Sequence, residues 1–155
     1  MDRRLDPAFS HALAKAAMFM AAGLIAEVLG HDRIAELNGV GRVLPVTMVA
    51  FGLAGLSLMG VPPSGGFVAK WLLLLATVME GQWWWAAVIL GGGLLAAAYI
   101  LMVLGKAMSS PPEPLHMHAR ISLSREAIVL GLAVGAVLLG FLPLQPSEFL
   151  QIGRP

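Results

Sequence analysis

Gly60-Val61-Pro62-Pro63-Ser64-Gly65-Gly66 interrupts a long apolar run in the middle of the chain. Between residues 44 and 79 the only charged residue is Lys70. As one straight helix this run would be about 54 Å long, nearly twice the roughly 30 Å thickness of a bilayer's hydrocarbon core. Pro62 and Pro63 remove two backbone donors, and the neighbouring glycines permit non-helical dihedral angles. A helix break is therefore predicted, and it involves Gly60, Pro62, Pro63, Gly65 and Gly66.

The break allows two arrangements of the apolar run. Its halves, at about 44–59 and 67–80, are either one discontinuous helix that crosses the bilayer once or two short helices joined by a turn. The halves would be only about 24 Å and 21 Å long, which is marginal for independent spans and favours one broken crossing. The Lys and Arg residues of the connectors give an equal charge bias in both arrangements, so charge does not decide between them.

The composition of the whole chain indicates that lipid is its solvent. Of its 155 residues, 58% are hydrophobic and only 12% are charged, whereas soluble domains carry about 25% charged residues. The apolar residues form long runs with most charges between them, as a bilayer requires. We therefore predict an all-α membrane protein, a single membrane domain with about four transmembrane helices, the second discontinuous at residues 60–66. The predicted spans are about 8–29, the broken 44–59 and 67–80, 84–105, and 125–142.

The last predicted helix begins at a recognisable start signal. Ser124 is expected to be its N-cap, and Glu126 lies in its first turn, where the helix dipole favours an acid. Proline residues Pro143 and Pro146 are expected to stop it.

Several classes of function are not indicated by the sequence. A net charge of +1, with single arginines scattered between apolar segments, gives no basic face for nucleic acid. The chain has no cysteine, and His116 and His118 have no third ligand near them, so we expect no metal site and no cofactor. No phosphate-binding loop and no nucleophile with a base are recognisable, so we predict no catalytic site in this chain.

Lys15 and His11 are the first pair of candidate functional residues. Lys15 lies roughly 13 Å inside the first predicted helix, too deep to reach either headgroup region without strain. His11 lies four residues earlier, on the same helix face. Two titratable groups on one helix face could exchange protons. Burial lowers the free-energy cost of deprotonating lysine, and histidine titrates near pH 7. The alternative is that His11 sits at the interface and Lys15 is a snorkelling anchor on a tilted helix.

Lys70 is the strongest candidate. It follows the break by one helical turn, and backbone groups freed by a break at membrane depth persist only inside protein or beside a hydrated cavity. A lysine at such a place predicts part of an ion or proton pathway. The alternative is a turn between two short helices, with Lys70 at the membrane interface.

Three stretches resemble a known family. His11-Ala12-Leu13-Ala14-Lys15-Ala16-Ala17-Met18-Phe19 resembles the lysine-bearing helix of the antiporter-like subunits of respiratory complex I and of the Mrp cation/proton antiporters. Residues 32–47 are similar to that family's connector, and residues 60–70 to its broken helix and the lysine beyond the break. The resemblance covers about residues 8–80 in the expected order.

The resemblance implies a proton-conducting subunit of fourteen helices, with Lys15 as the central relay lysine, His11 as its neighbour and Lys70 as the exit lysine. It also implies one broken crossing, a place in the cytoplasmic membrane, and both termini on the non-cytoplasmic side. This chain would hold the last four helices only. A fragment or a split subunit is therefore expected, with other membrane subunits, including the part carrying the missing helices, and the bilayer as its partners.

Two hypotheses of function follow. In the first, the chain is a segment for proton or cation/proton translocation that uses the lysines as relays, with H⁺ alone and exchange for Na⁺ both open. In the second, it is a structural or assembly subunit whose lysines pair with partner helices.

Overall fold

The computed structural model describes residues 6–62, 64–111 and 117–139, and within this part the regular structure is entirely helical. The predicted all-α class is thus confirmed. A 3₁₀ turn at Ile34–Glu36 lies in the connector after the first helix. The helices are α1 (Asp6–Leu29), α2 (Val40–Val43), α3 (Pro45–Met59), α4 (Gly65–Met79), α5 (Trp83–Met108) and α6 (Leu123–Leu138).

The ends of α6 differ in part from the expectation. The helix begins at Leu123 with Ser122 before it, so Ser124 is inside the helix rather than at its N-cap. Glu126 does lie in the first turn. The predicted end at residue 142 lies outside the described residues.

Two helices of the described part are long and apolar enough to cross a membrane alone: Phe9–Leu29 within α1, and α5. The helices α3 and α4 have 15 residues each, so each is only about 22 Å long. Either one is shorter than the hydrocarbon core of roughly 30 Å, so neither suits an independent crossing.

The positions of α3 and α4 along α5 show that they form one broken crossing. Gly55 of α3 lies beside Ile100 of α5, and Met59, at the end of α3, lies beside Gly93. Leu73 of α4 and Val88 of α5, each further from these contacts, line the same groove. Residue numbers rise along α3 and α4 while they fall along the single helix α5. Both halves therefore run in the same direction beside one continuous neighbour, and the predicted discontinuous second helix is confirmed.

The core lies where α1, α3 and α6 meet, and its completely buried hydrophobic positions are mostly alanines. Small residues let helix backbones approach closely, which is the usual packing of transmembrane helices. The fully buried alanines are Ala14, Ala17 and Ala21 of α1, Ala50 and Ala54 of α3, and Ala133 and Ala136 of α6. This packing fixes α3 between two other helices and leaves α4 at the edge of the bundle.

Candidate functional site

The site is the break between α3 and α4. Gly60 ends α3 with a φ of 78°, a left-handed conformation that favours glycine. Ser64 then starts α4: its Oγ accepts a hydrogen bond from the Phe67 N–H at 3.3 Å and donates one to the Val61 carbonyl at 2.7 Å. The break is thus a built feature, with a cap at each side.

The other predicted break residues have different roles. Gly65 and Gly66 are the first residues of α4 and are helical, so their use is close approach rather than unusual dihedral angles. A Cβ at Gly66 would overlap the Ser57 carbonyl oxygen of α3, and one at Gly65 would overlap the Ser10 side chain of α1. Pro62 is exposed, and Pro63 lies outside the described residues.

Lys70 reaches back across the break to the end of α3. Its Nζ donates to the Met59 carbonyl at 2.6 Å and to the Leu58 carbonyl at 3.2 Å. The last carbonyls of a helix have no partner within the helix, and a cation there also complements the helix dipole. The ammonium group thus satisfies the carbonyls that the break exposes.

A groove of about 530 Å³ opens beside the break. His11, Ser57 and Lys70 supply its polar side chains, and most of its other lining residues are apolar ones of α4 and α5. The Ser57 Oγ is fully buried and has no hydrogen-bond partner among the described residues. The groove therefore brings together a lysine, a histidine and an unpaired hydroxyl from three helices.

Lys15 lies outside this groove. It is exposed on α1, whereas Lys70 is half-buried. The expected burial of both lysines is therefore not found in this chain, because no described helix covers the face of α1 that carries Lys15. His11 lines the groove with Lys70 and lies four residues before Lys15, on the same face of α1.

Glu126 is a buried acid whose role sequence reasoning missed. Its Oε2 accepts hydrogen bonds from the Thr47 N–H at 3.0 Å and from the Thr47 Oγ1 at 2.8 Å. It is 7% exposed, and Thr47 is fully buried. The available signal was indirect: α3 begins after Leu44, which has no side-chain oxygen to cap it, so a partner from elsewhere was needed.

At the same side of the bundle, Arg125 forms a two-pronged ion pair with Glu27 of α1, at 2.8 Å and 2.6 Å. This pair links the end of α1 to the start of α6. Both side chains are partly exposed, so the pair is expected to add little to stability.

These features define a multi-pass membrane protein with a discontinuous helix whose break is occupied by a lysine. Comparison with known families then gives a more specific result. The model of the family described as NADH:quinone oxidoreductase/Mrp antiporter, transmembrane, matches residues 7–96. The chain belongs to this family, as its resemblance predicted.

Comparison with individual proteins points to the same family. The chain is 34% identical to NADH-quinone oxidoreductase subunit N of Desulforudis audaxviator over 94% of its length, which is 32% of that protein. It is 30% identical to the subunit N of Geobacter metallireducens over 91% of its length, or 31% of that protein. A chain in the structure of the Mrp complex from Dietzia sp. DQ12-45-1b matches with a TM-score of 0.75 and 27% identity, covering 91% of this chain and 34% of that one. This chain thus spans about a third of the length of these relatives.

Proposed function

We propose that this chain is the segment of an antiporter-like subunit that translocates protons, or exchanges a cation for protons, within a larger membrane complex. The observation that carries the proposal is the Lys70 ammonium group, bound to the carbonyls of a broken helix in a groove that also holds His11. Lysine can bind and release a proton, and the groove beside the amine gives it room to leave the carbonyls.

Three groups would carry the proton. The Lys70 amine would leave the Met59 carbonyl when it becomes neutral and return when it is charged again. His11 would pass protons between Lys70 and Lys15, since it shares the groove with Lys70 and the helix face with Lys15. Water in the groove would connect the polar side chains that line it.

The partners follow from the surfaces that the chain leaves open. The relatives named above are a subunit of NADH-quinone oxidoreductase and a chain of an Mrp complex, and this chain matches only about a third of each. We propose that other membrane subunits, including one carrying the remaining helices, cover the groove and the face of α1 that bears Lys15. Covering would bury both lysines and separate the pathway from lipid.

The test is transport by the assembled parent complex in membrane vesicles. Alanine at Lys70 or at Lys15 is expected to abolish transport while complex yield stays unchanged, because each lysine is one step of a single relay. Lys106→Ala is the control, since this lysine lies in the last turn of α5, away from the groove. Unchanged transport in Lys70→Ala would refute the proposal. A loss of complex yield in place of transport would identify the chain as a structural subunit.

We also propose that the chain crosses the cytoplasmic membrane with both termini on the non-cytoplasmic side. This places the connector after α1 in the cytoplasm, with Arg33 and Arg42, in line with the positive-inside rule. Because the chain has no cysteine, single cysteines at Arg33 and Gln82 can be labelled separately with an impermeant maleimide. In right-side-out vesicles Gln82→Cys should react and Arg33→Cys should not, and the reverse pattern would overturn this orientation.

A further inference from the structure

We infer that Glu126, on α6, is a positioning residue for α3, the first half of the broken helix. By holding the N-terminus of α3 it fixes the carbonyls to which the Lys70 amine donates. The effect of Glu126 on transport rests on the function proposed above. The effect of Glu126 on the structure of α3 is independent of that function.

The start of α3 needs an external partner. Pro45 is its first residue and has no N–H, and Leu44 before it provides no side-chain cap. Thr47, the third residue, has one of the amides that a helix leaves unpaired at its N-terminus. This amide and the Thr47 hydroxyl both donate to the same carboxylate oxygen of Glu126, from α6. A buried amide without a partner is costly, so this contact determines where α3 begins.

The two ends of α3 are held by opposite charges from two different helices. Glu126 lies at the N-terminus and the Lys70 amine at the C-terminus, which is the arrangement that complements a helix dipole. The two charges are about 22 Å apart, so their direct interaction is weak. They act on each other through the position of the rigid helix between them.

This arrangement gives Glu126 a role in the relay. When the Lys70 amine leaves the Met59 carbonyl, the C-terminal end of α3 loses its cation. The N-terminal end stays fixed by Glu126, so the carbonyls remain in place for the returning amine. Without the carboxylate, α3 keeps only its packing, so its carbonyls are held less firmly relative to α4.

The test uses hydrogen exchange and transport together, in the assembled parent complex. In Glu126→Ala the amides of residues 46–49 should exchange about tenfold faster or more, because Thr47 loses both of its hydrogen bonds. Transport per assembled complex should fall. Glu126→Gln keeps an acceptor oxygen and should recover most of both quantities. Thr47→Val removes the hydroxyl only and should give a smaller increase in exchange.

Glu80→Gln is the matched control, because this exposed acid lies in the turn after α4 and should change neither quantity. Unchanged hydrogen exchange in Glu126→Ala would overturn the inference. If the alanine variant does not assemble, unchanged exchange in Thr47→Val would overturn it. The inference would also be overturned if transport fell only in proportion to complex yield and did not recover in Glu126→Gln. A purely structural residue would behave in that way. If exchange rises in Glu126→Ala while Lys70→Ala transports normally, the proposed function fails and the structural role of Glu126 stands.

Discussion

The two halves of the broken crossing have the same length and very different surroundings. Each has 15 residues, but α3 buries seven of them, whereas in the described structure α4 buries only Gly65 and Gly66. The helix α3 is enclosed by α1, α5 and α6, and both of its ends are held by charged side chains. The helix α4 presents large apolar side chains such as Trp71 and Leu73 on the outside of the bundle.

This difference in burial indicates that α3 and α4 have separate roles. The enclosed half provides fixed carbonyls, and the half that carries Lys70 lies at the edge, where a small movement changes few contacts. If the site moves, we therefore expect α4 to shift against α3. If this comparison is right, substitutions at the joint should have larger effects than the same substitutions elsewhere, and each prediction below tests that with a matched position.

The largest effect is expected for Gly66→Ala. The new Cβ would overlap the Ser57 carbonyl oxygen, and this backbone atom cannot move aside. We expect a loss of about 3 kcal/mol of stability, at the upper end of the usual cost of overpacking. The measurement is the midpoint of denaturant-induced unfolding of the protein in detergent.

Gly91→Ala in α5 is the matched control, because nothing lies within 4 Å of a Cβ at that position. It should stabilise the helix by roughly 0.5–1 kcal/mol, the usual gain of alanine over glycine in a helix. Equal midpoints for the two variants would show that α3 and α4 do not touch at the joint.

The next largest effect is expected for Gly60→Ala. Its φ of 78° costs an alanine about 1–2 kcal/mol. In addition, a Cβ would lie 2.6 Å from the Lys70 Cδ, so the lysine must leave its position. Gly81→Ala has the same backbone cost, with a φ of 69°, but nothing within 4 Å.

The difference between these two variants isolates the contact with Lys70. Unfolding midpoints give the stability, and proton transport by the assembled complex gives the function. Transport should fall in Gly60→Ala and remain normal in Gly81→Ala. A fall of equal size in both would mean that the backbone turns matter and the place of Lys70 does not.

The sequence was informative wherever a feature is local. Pro62 and Gly60 were sufficient to predict the break, because each acts through the backbone of its own segment, and the apolar length of the run favoured one broken crossing over two short helices. The place of Lys70 one turn beyond the break followed in the same way. The bonds it makes to Leu58 and Met59 were not predicted, since they depend on how α4 is turned relative to α3.

Features that join distant segments were not predictable. Glu126 and Thr47 are 79 positions apart, and the sequence alone offered the simpler interpretation of an acid in the first turn of its own helix. The exposure of Lys15 was missed for another reason: depth along a helix can be read from a sequence, but whether another helix covers that face depends on partners. The local part of the site was thus predictable, and the assembled part was not.

The smallest effect is expected for Ser64→Ala, which tests whether α4 needs its own cap although it lies at the edge. The Ser64 Oγ accepts from the Phe67 N–H and donates to the Val61 carbonyl, so its removal should cost about 1 kcal/mol. Ser122→Ala is the control, because Ser122 precedes α6 without a side-chain cap bond and its hydroxyl contacts only the Ser124 hydroxyl among the described residues. Unfolding midpoints should therefore fall for Ser64→Ala and stay the same for Ser122→Ala. If Ser64→Ala also leaves the midpoint unchanged, packing against α1, α3 and α5 is sufficient to position α4, and the contrast between a fixed and a movable half becomes weaker.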